Sequence, residues 1–221
     1  MLTVHHLENS RSQRVLWLLE ELGVDYDVKR YERDKKSNLA PPALKKVHPT
    51  GKSPLLEDNG VVYAETGAIV EHIVNTHGGG RLRPDPNTDD FRRYQYWLHA
   101  AEGSYMAPLV MVLLVNRMET APMPFFARPI AKKLAQGLRD AYLDQTIAAL
   151  FGYAESELAT REWFAGNEFT AADIMMSFPM EASQARIEAG KTAAIRRFVE
   201  RIQARPAYKR ALERGGPYAY A

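Results

Sequence analysis

The residues best suited to chemistry lie on either side of one short predicted hairpin. Lys52 and Ser53 form a polar turn directly before Pro54, and the acid and hydroxyl of Glu65-Thr66 follow the second strand. A cis bond at Pro54 would turn the backbone N–H and C=O of Ser53 outward. The first N–H groups of the helix that begins at Glu65-Thr66 would attract an anion. The pattern therefore predicts a site for the backbone and carboxylate of a peptide, lying across Lys52, Ser53 and Thr66.

The elements that carry these residues predict a small α/β domain over residues 1–78. Strands are expected at 2–6, 26–31, 54–56 and 61–63, and helical segments at 13–22, 43–47 and 65–77. The first two strands flank a helix, so they should run parallel with a right-handed crossover. The last two are joined at Asn59-Gly60, a strong signal for a hairpin. The order βαβαββα indicates a domain of thioredoxin type.

Beyond a linker at 79–88, marked by glycines and prolines, the chain loses its strand signals. Long helical stretches are expected at about 89–117 and 125–154. Thr170 and Asp173 fit a capping box for a later helix, and apolar residues from Ile195 to Ile202 have helical spacing. We therefore expect residues 89–221 to form an all-helical second domain.

Composition excludes several functions. The net charge of +2 argues against nucleic-acid binding, and the absence of cysteine excludes disulfides, thiol nucleophiles and zinc–cysteine sites of the chain's own. No metal site is expected, because His72 and His77 lack the i, i+4 spacing of helical ligands. The apolar run 107–115 is too short to span a bilayer. With no signal-peptide pattern in view, a cytoplasmic protein without membrane partners is expected.

Taken together, these features resemble the glutathione S-transferases. A thioredoxin-like domain without cysteine, a serine before the first helix, the Lys-Ser-Pro turn, the Glu-Thr pair and a helical second domain with a capping box occur in that order. The start Ser-Arg-Ser-Gln-Arg-Val-Leu-Trp is similar to bacterial and fungal members related to the serine-using classes. The resemblance covers nearly the whole chain.

The resemblance implies a role for each candidate residue. Ser10 would donate its hydroxyl to the glutathione sulfur, which attacks as the thiolate; Asn9, Arg11 and Ser12 are alternatives, Ser12 being the expected helix N-cap. Glutathione would be bound by Ser10, Lys52, Ser53, Glu65 and Thr66, with Lys52 on the glycine carboxylate. Glu65 would take the γ-glutamyl ammonium and Thr66 the γ-glutamyl carboxylate.

The second substrate, a small apolar electrophile, would lie between the domains, against Tyr105, Met106 and Leu109. The resemblance implies conjugation of glutathione to that electrophile, with glutathione as co-substrate, no metal, and a homodimer. Two other functions stay open: glutathione-dependent peroxide reduction at the same site, and a binding or scaffold module that has kept the fold without the chemistry. The sequence does not identify the electrophile.

Overall fold

In a computed structural model, which describes residues 1–184 and 192–220, the N-terminal part is a mixed four-stranded sheet. The strands are β1 (Leu2–Leu7), β2 (Tyr26–Tyr31), β3 (Leu55–Asp58) and β4 (Val61–Ala64), in the order β2-β1-β3-β4. β1 pairs in parallel with β2, whereas β3 runs antiparallel to both of its neighbours. The predicted βαβ unit and Asn-Gly hairpin are therefore confirmed.

Two helices cover this sheet, α1 (Ser12–Leu22) and α2 (Thr66–His77), with a short 3-10 turn at Pro42–Lys46. α1 ends where its apolar stripe ends, because Gly23 takes the left-handed conformation (φ 61°) that a side chain would oppose. α2 begins one residue later than expected. Glu65 lies before the helix at φ 71° rather than inside it, and Gly78 follows the last turn.

The second part of the chain consists of helices and loops, with no strand among its described residues. The helices are α3 (Asp89–Ala100), α4 (Ala107–Thr120), α5 (Arg128–Leu138), α6 (Asp144–Thr160), α7 (Ala171–Ser183), α8 (Ala193–Ala204) and α9 (Pro206–Gly215). The two long stretches expected from the sequence are both present. Each is divided by a wider π-helical turn, at Ala101–Met106 and Arg139–Leu143, and each runs a few residues further than predicted. This is the thioredoxin-like domain plus helical domain that the sequence predicted.

The main apolar core runs across both parts of the chain without a break. Trp17 of α1 packs against Phe169 and Tyr208, with ring centroids 5.5 and 5.2 Å apart. α1 also lies along α9 and α7. The capping box predicted at the start of α7 is present, with Asp173 fully buried beneath it. This shared core fixes the start of α1 relative to α4 and α7, and so fixes the geometry of the cleft between them.

One helical stretch is longer and more apolar than the sequence pattern indicated. From Asp89 to Thr120 the chain is continuously helical over 32 residues, and its most apolar window has a mean hydropathy of 1.5. By length and composition alone this stretch could cross a membrane, so the expectation based on 107–115 counted too few residues. Of that window, 44% is buried inside the protein, and the stretch contributes Trp97, Leu98 and Leu109 to the main core.

Candidate functional site

A cleft between the sheet domain and the helical domain contains two adjoining cavities. The larger, of about 470 Å³, lies between the turn after β1, the loop before β3, and helices α4 and α7. The smaller, of about 220 Å³, extends from there to the start of α2. Arg11, Lys52 and Ser53 line both cavities. A ligand that reached from the β1 turn to the start of α2 would therefore pass across these three residues.

Ser10 lines the larger cavity at the head of a chain of hydrogen bonds. Its Oγ lies 2.8 Å from Ser12 Oγ, which lies 2.9 Å from His6 Nδ1. Ser10 Oγ also accepts the Ser12 backbone N–H at 3.3 Å. Burial lowers the pKa of His6 from 6.5 to about 4, so its imidazole is neutral at pH 7. The Ser10 hydroxyl is thus oriented from behind by neutral groups.

The structure separates Ser10 from Ser12, one of its three alternatives. Ser12 is fully buried and does not reach either cavity, and it is not the N-cap of α1: Arg11 occupies that position, without a side-chain capping bond. The Ser12 hydroxyl points back to His6 and to Leu7, whose N–H it accepts at 3.2 Å. The prediction of Ser12 as the N-cap was therefore wrong, because the end of β1 offers this hydroxyl better partners than the helix does. Asn9, at φ 46°, and Arg11 both line the larger cavity.

The turn before β3 presents backbone and charge to the cleft. The peptide bond between Ser53 and Pro54 is cis, as expected. The Ser53 side chain is engaged with β1, donating to His5 O at 3.1 Å and accepting Leu7 N–H at 3.3 Å. What Ser53 offers the cavities is therefore its backbone. Lys52 is exposed and lines both cavities, so its ammonium can reach a ligand carboxylate in either of them.

Glu65 and Thr66 form the far end of the smaller cavity. Glu65 holds a positive φ of 71°, a conformation that costs a non-glycine residue about 1–3 kcal/mol and that is enriched at ligand sites. Its carboxylate is exposed, whereas Thr66 is buried as the first residue of α2. The first backbone N–H groups of a helix have no partner within it. The Glu65 carboxylate can therefore bind a cation, and the N–H groups at the start of α2 beside it can donate to an anion.

An ion-pair network around the buried Arg14 reaches both cavities through Arg11. Arg14, 1% exposed, donates to Met175 O at 2.7 Å and contacts the Glu102 carboxylate. Burial lowers the pKa of Arg14, and Glu102 opposes that shift. Arg11 Nε lies 2.9 Å from the other oxygen of Glu102. The network joins α1 to the helical domain at the point where Arg11 faces both cavities.

The helical domain supplies an apolar wall to the larger cavity. Met106 and Leu109, two of the three residues expected there, line it. The third assignment, Tyr105, was wrong. Its side chain is fully buried among Trp97 and Phe151, and its hydroxyl donates to Leu150 O at 2.7 Å. Tyr105 does not line the cavity, and it belongs to the core.

Other lining residues were missed by the sequence analysis. Val110 and Leu113 share a helical face with Met106 and Leu109, so the spacing contained a signal for them. Phe178 of α7 and Tyr220 also line the cavity. No spacing signal could have placed these two.

Tyr220 reaches the cavity because the end of the chain folds back over it. Asn9 Oδ1 accepts the backbone N–H of Ala219 at 2.7 Å, and Tyr218 donates to Glu181 at 2.8 Å. These contacts join the C-terminal segment to the turn after β1. They depend on the packing of distant parts of the chain, which local patterns do not encode.

Comparison with known proteins gives one consistent result. Residues 1–75 match the family model described as "Glutathione S-transferase, N-terminal domain", and residues 116–206 match "Glutathione S-transferase, C-terminal domain". The chain is 37% identical to Glutathione S-transferase 3 of Schizosaccharomyces pombe, covering 97% of this chain and 88% of that protein. It is 32% identical to Glutathione S-transferase 1 of Saccharomyces cerevisiae, covering 82% and 80%.

Solved structures agree. A glutathione S-transferase of Actinobacillus pleuropneumoniae superposes with a TM-score of 0.82 at 30% identity, covering all of this chain and 95% of that one.

Proposed function

The chain belongs to the glutathione S-transferase family, and on that premise we propose that it conjugates glutathione to small apolar electrophiles, with the Ser10 hydroxyl stabilising the thiolate. The sulfur forms a bond to an electrophilic carbon. Either a leaving group departs with its electron pair, or the adduct takes up a proton. The observation that carries the proposal is the cleft itself, in which the candidate donor lies between a charged cavity and an apolar wall.

Glutathione carries two carboxylates and one ammonium, and the two cavities offer complementary groups. Lys52 would pair with the glycine carboxylate, and the backbone of Ser53 with the cysteinyl part. Glu65 would bind the γ-glutamyl ammonium, and Thr66 with the start of α2 its carboxylate. Arg11, which lines both cavities, adds a positive charge near the middle of the ligand.

Its position and the groups behind it favour Ser10 as the residue that donates a hydrogen bond to the glutathione sulfur. Ser12 lines neither cavity, so its role is to orient the Ser10 hydroxyl through their hydrogen bond. In the arrangement that serves the reaction, His6 Nδ1 donates to Ser12 Oγ, Ser12 donates to Ser10 Oγ, and the Ser10 proton turns towards the cavity. A hydrogen bond to a charged partner is worth about 1.5–3 kcal/mol. That energy corresponds to a decrease of about one to two units in the pKa of the bound thiol.

The apolar wall favours an electrophile with a hydrocarbon body. One wall of the cavity is formed by apolar residues of the long helical stretch: Met106, Leu109, Val110 and Leu113. Phe178, which lies on α7, lines the same cavity. A cavity of about 470 Å³ is within the usual range for small-molecule sites, about 300–1,000 Å³. The reactive carbon would lie above the sulfur with its apolar part against this wall.

We further propose a homodimer. α4, α5 and the short 3-10 turn Phe125–Ala127 between them carry large apolar side chains that are strongly exposed in the single chain, among them Leu114, Phe126 and Ile130. A second copy that covered them would remove this surface from water. The expected partners are therefore glutathione, the electrophile and a second copy of the chain, and the cytoplasmic location stays a prediction.

Calorimetric titration of glutathione tests the binding part of the proposal. We expect Lys52→Ala and Thr66→Val each to weaken binding about 10-fold, since each removes one contact to a charged group of the ligand. Lys46→Ala is the control, because Lys46 is an exposed lysine that lines neither cavity. If the wild type does not bind glutathione, the scaffold function replaces this one.

Product analysis tests the chemistry. Mass spectrometry of a reaction with an apolar aryl halide should show the glutathione thioether and released halide. Glutathione disulfide formed from an organic hydroperoxide, without any thioether from the halide, would instead establish the peroxidase function.

A further inference from the structure

Three potential metal ligands meet at the end of the sheet domain away from the glutathione cavities. Asp58 is the last residue of β3, and its Oδ2 lies 2.9 Å from His72 Nε2 and 3.0 Å from His77 Nε2. All three donor atoms lie within 4.8 Å of one another. None of the three residues lines either cavity of the cleft.

The fold explains why the sequence pattern did not reveal this cluster. His72 and His77 are five residues apart on α2, so at about 100° per residue they project roughly 140° from one another around the helix. Two helical histidines at this spacing do not bind one ion by themselves. The end of β3 packs beneath α2, however, and places Asp58 between them.

The cluster is held in place by its surroundings. The ring of Tyr63, on the neighbouring strand β4, stacks on His72 with centroids 3.8 Å apart and planes 19° apart. Asp58 is buried, whereas the side chains of His72 and His77 are 15% and 28% exposed. The Asp58 carboxylate and the His72 ring are therefore held in place by the surrounding protein. The two histidines stay partly exposed, so an ion can reach them from solution.

We propose that Asp58, His72 and His77 bind a divalent transition-metal ion of the zinc type. Two imidazole nitrogens and one carboxylate oxygen form a set that suits zinc, which binds such atoms at about 2.0–2.2 Å and completes a tetrahedron with water. Ligand atoms of such a tetrahedron lie about 3.3 Å apart, close to the 2.9 and 3.0 Å that separate Asp58 Oδ2 from His72 Nε2 and His77 Nε2.

Binding requires only small rearrangements of protons. In the hydrogen-bonded cluster each Nε2 donates its proton to Asp58 Oδ2; when the ion binds, that proton leaves Nε2, and each neutral imidazole presents the Nε2 lone pair with its one proton on Nδ1. The carboxylate already carries its negative charge at neutral pH. The ion would then replace two hydrogen bonds by three coordinate bonds among the same residues.

The site would tie the hairpin of β3 and β4 to the last turn of α2. Thr66, at the opposite end of α2, belongs to the glutathione cradle, so the two sites share a helix and no residue. The metal proposal is thus independent of the proposed function, and each can fail without the other.

Calorimetric titration of ZnCl₂ into the untagged, EDTA-treated chain tests the proposal. We expect saturable binding of one ion per chain, accompanied by a rise in the thermal unfolding midpoint. Loss of a residue that only supports a metal ligand costs about 10–100-fold in affinity. Loss of a ligand itself, in His72→Gln or His77→Gln, should therefore weaken binding by about 100-fold or more.

His99→Gln is the matched control, because His99 is exposed on α3 and lies outside the cluster. Its zinc affinity should equal that of the wild type. Co²⁺ provides a second readout, because its visible spectrum reports four-coordinate geometry directly and would be lost in both ligand variants. If zinc binds with equal affinity to the wild type and all three variants, or does not bind to the wild type, the cluster is a hydrogen-bonded link and the proposal is wrong.

Discussion

The buried carboxyl group of Glu181 should make the protein less stable as the pH rises towards neutrality. Glu181 lies on α7, is 4% exposed, and accepts hydrogen bonds from Tyr208 at 2.6 Å and from Tyr218 at 2.8 Å. Burial outweighs these donors and raises its pKa from 4.5 to about 7. The folded protein therefore binds this proton more tightly than the unfolded chain does.

The sign and size of the effect follow from linkage. A group with a raised pKa contributes its full stability below pH 4.5, and loses that contribution as the pH rises through about 7. At about 1.4 kcal/mol for each pH unit, this interval corresponds to about 3 kcal/mol. Glu181→Gln cannot ionise and keeps the shape, so it should not show this loss.

Denaturant unfolding followed by tryptophan fluorescence measures the effect. From pH 4.5 to pH 8 the free energy of unfolding of Glu181→Gln, minus that of the wild type, should increase by about 3 kcal/mol. Other titrating groups cancel in this difference. Glu200→Gln, an exposed glutamate on α8, should show no such trend. A Glu181→Gln difference as flat as this control would show that the folded protein does not bind the Glu181 proton more tightly than the unfolded chain does.

Two further predictions concern buried polar groups. Because the pKa of His6 is lowered to about 4 in the folded protein, the contribution of His6 to stability is fully present above pH 6.5 and is lost as the pH falls. Between pH 6.5 and pH 4 the free energy of unfolding should fall by about 3 kcal/mol more in the wild type than in His6→Asn. Equal losses in the two proteins would contradict this. Asp173→Ala should cost about 3 kcal/mol or more in urea unfolding, because the carboxylate accepts the buried N–H groups of Phe164 and Thr170, both at 2.8 Å. Thr170→Ala, which removes only the capping hydroxyl, should cost about 1 kcal/mol; equal costs for the two variants would show that those N–H groups find other partners.

The sheet domain could be predicted from the sequence because its signals are local. The Asn59-Gly60 turn sets the hairpin, the helical stripe and Gly23 set α1, and the run from β1 to β2 permits one handedness of crossover. The residues that line the cleft from this domain, Lys52 and Ser53 among them, follow directly from those elements. Short stretches of chain set the positions of these residues, so local sequence patterns are enough to predict them.

The helical side of the cleft could be predicted only in part. The resemblance placed the second substrate against the inner face of the long helix, near Met106 and Leu109, but helical period did not show which side chains of that stretch would enter the core. Tyr105 was therefore assigned to the cavity, although its ring and hydroxyl are satisfied inside the domain. Tyr220 reaches the cavity through contacts between residues about 200 positions apart.

The same limit applies to individual side chains at turns. Ser12 has the residue type of an N-cap, but its hydroxyl finds partners at the end of β1 that only the folded chain provides. The cluster of Asp58 with His72 and His77 likewise combines a strand end with a helix end. Spacing within one element gives no indication of either arrangement.

We propose above all that the Ser10 hydroxyl stabilises the glutathione thiolate. The most direct test follows the ultraviolet absorbance of the thiolate against pH with glutathione bound to the wild type, Ser10→Ala and Ser12→Ala, each at a saturating concentration fixed by calorimetry. The wild type should hold thiolate near neutral pH, and Ser10→Ala should bind glutathione but raise the pKa of its thiol by about one to two units. An unchanged pKa in Ser10→Ala, or a larger rise in Ser12→Ala, would contradict the assignment.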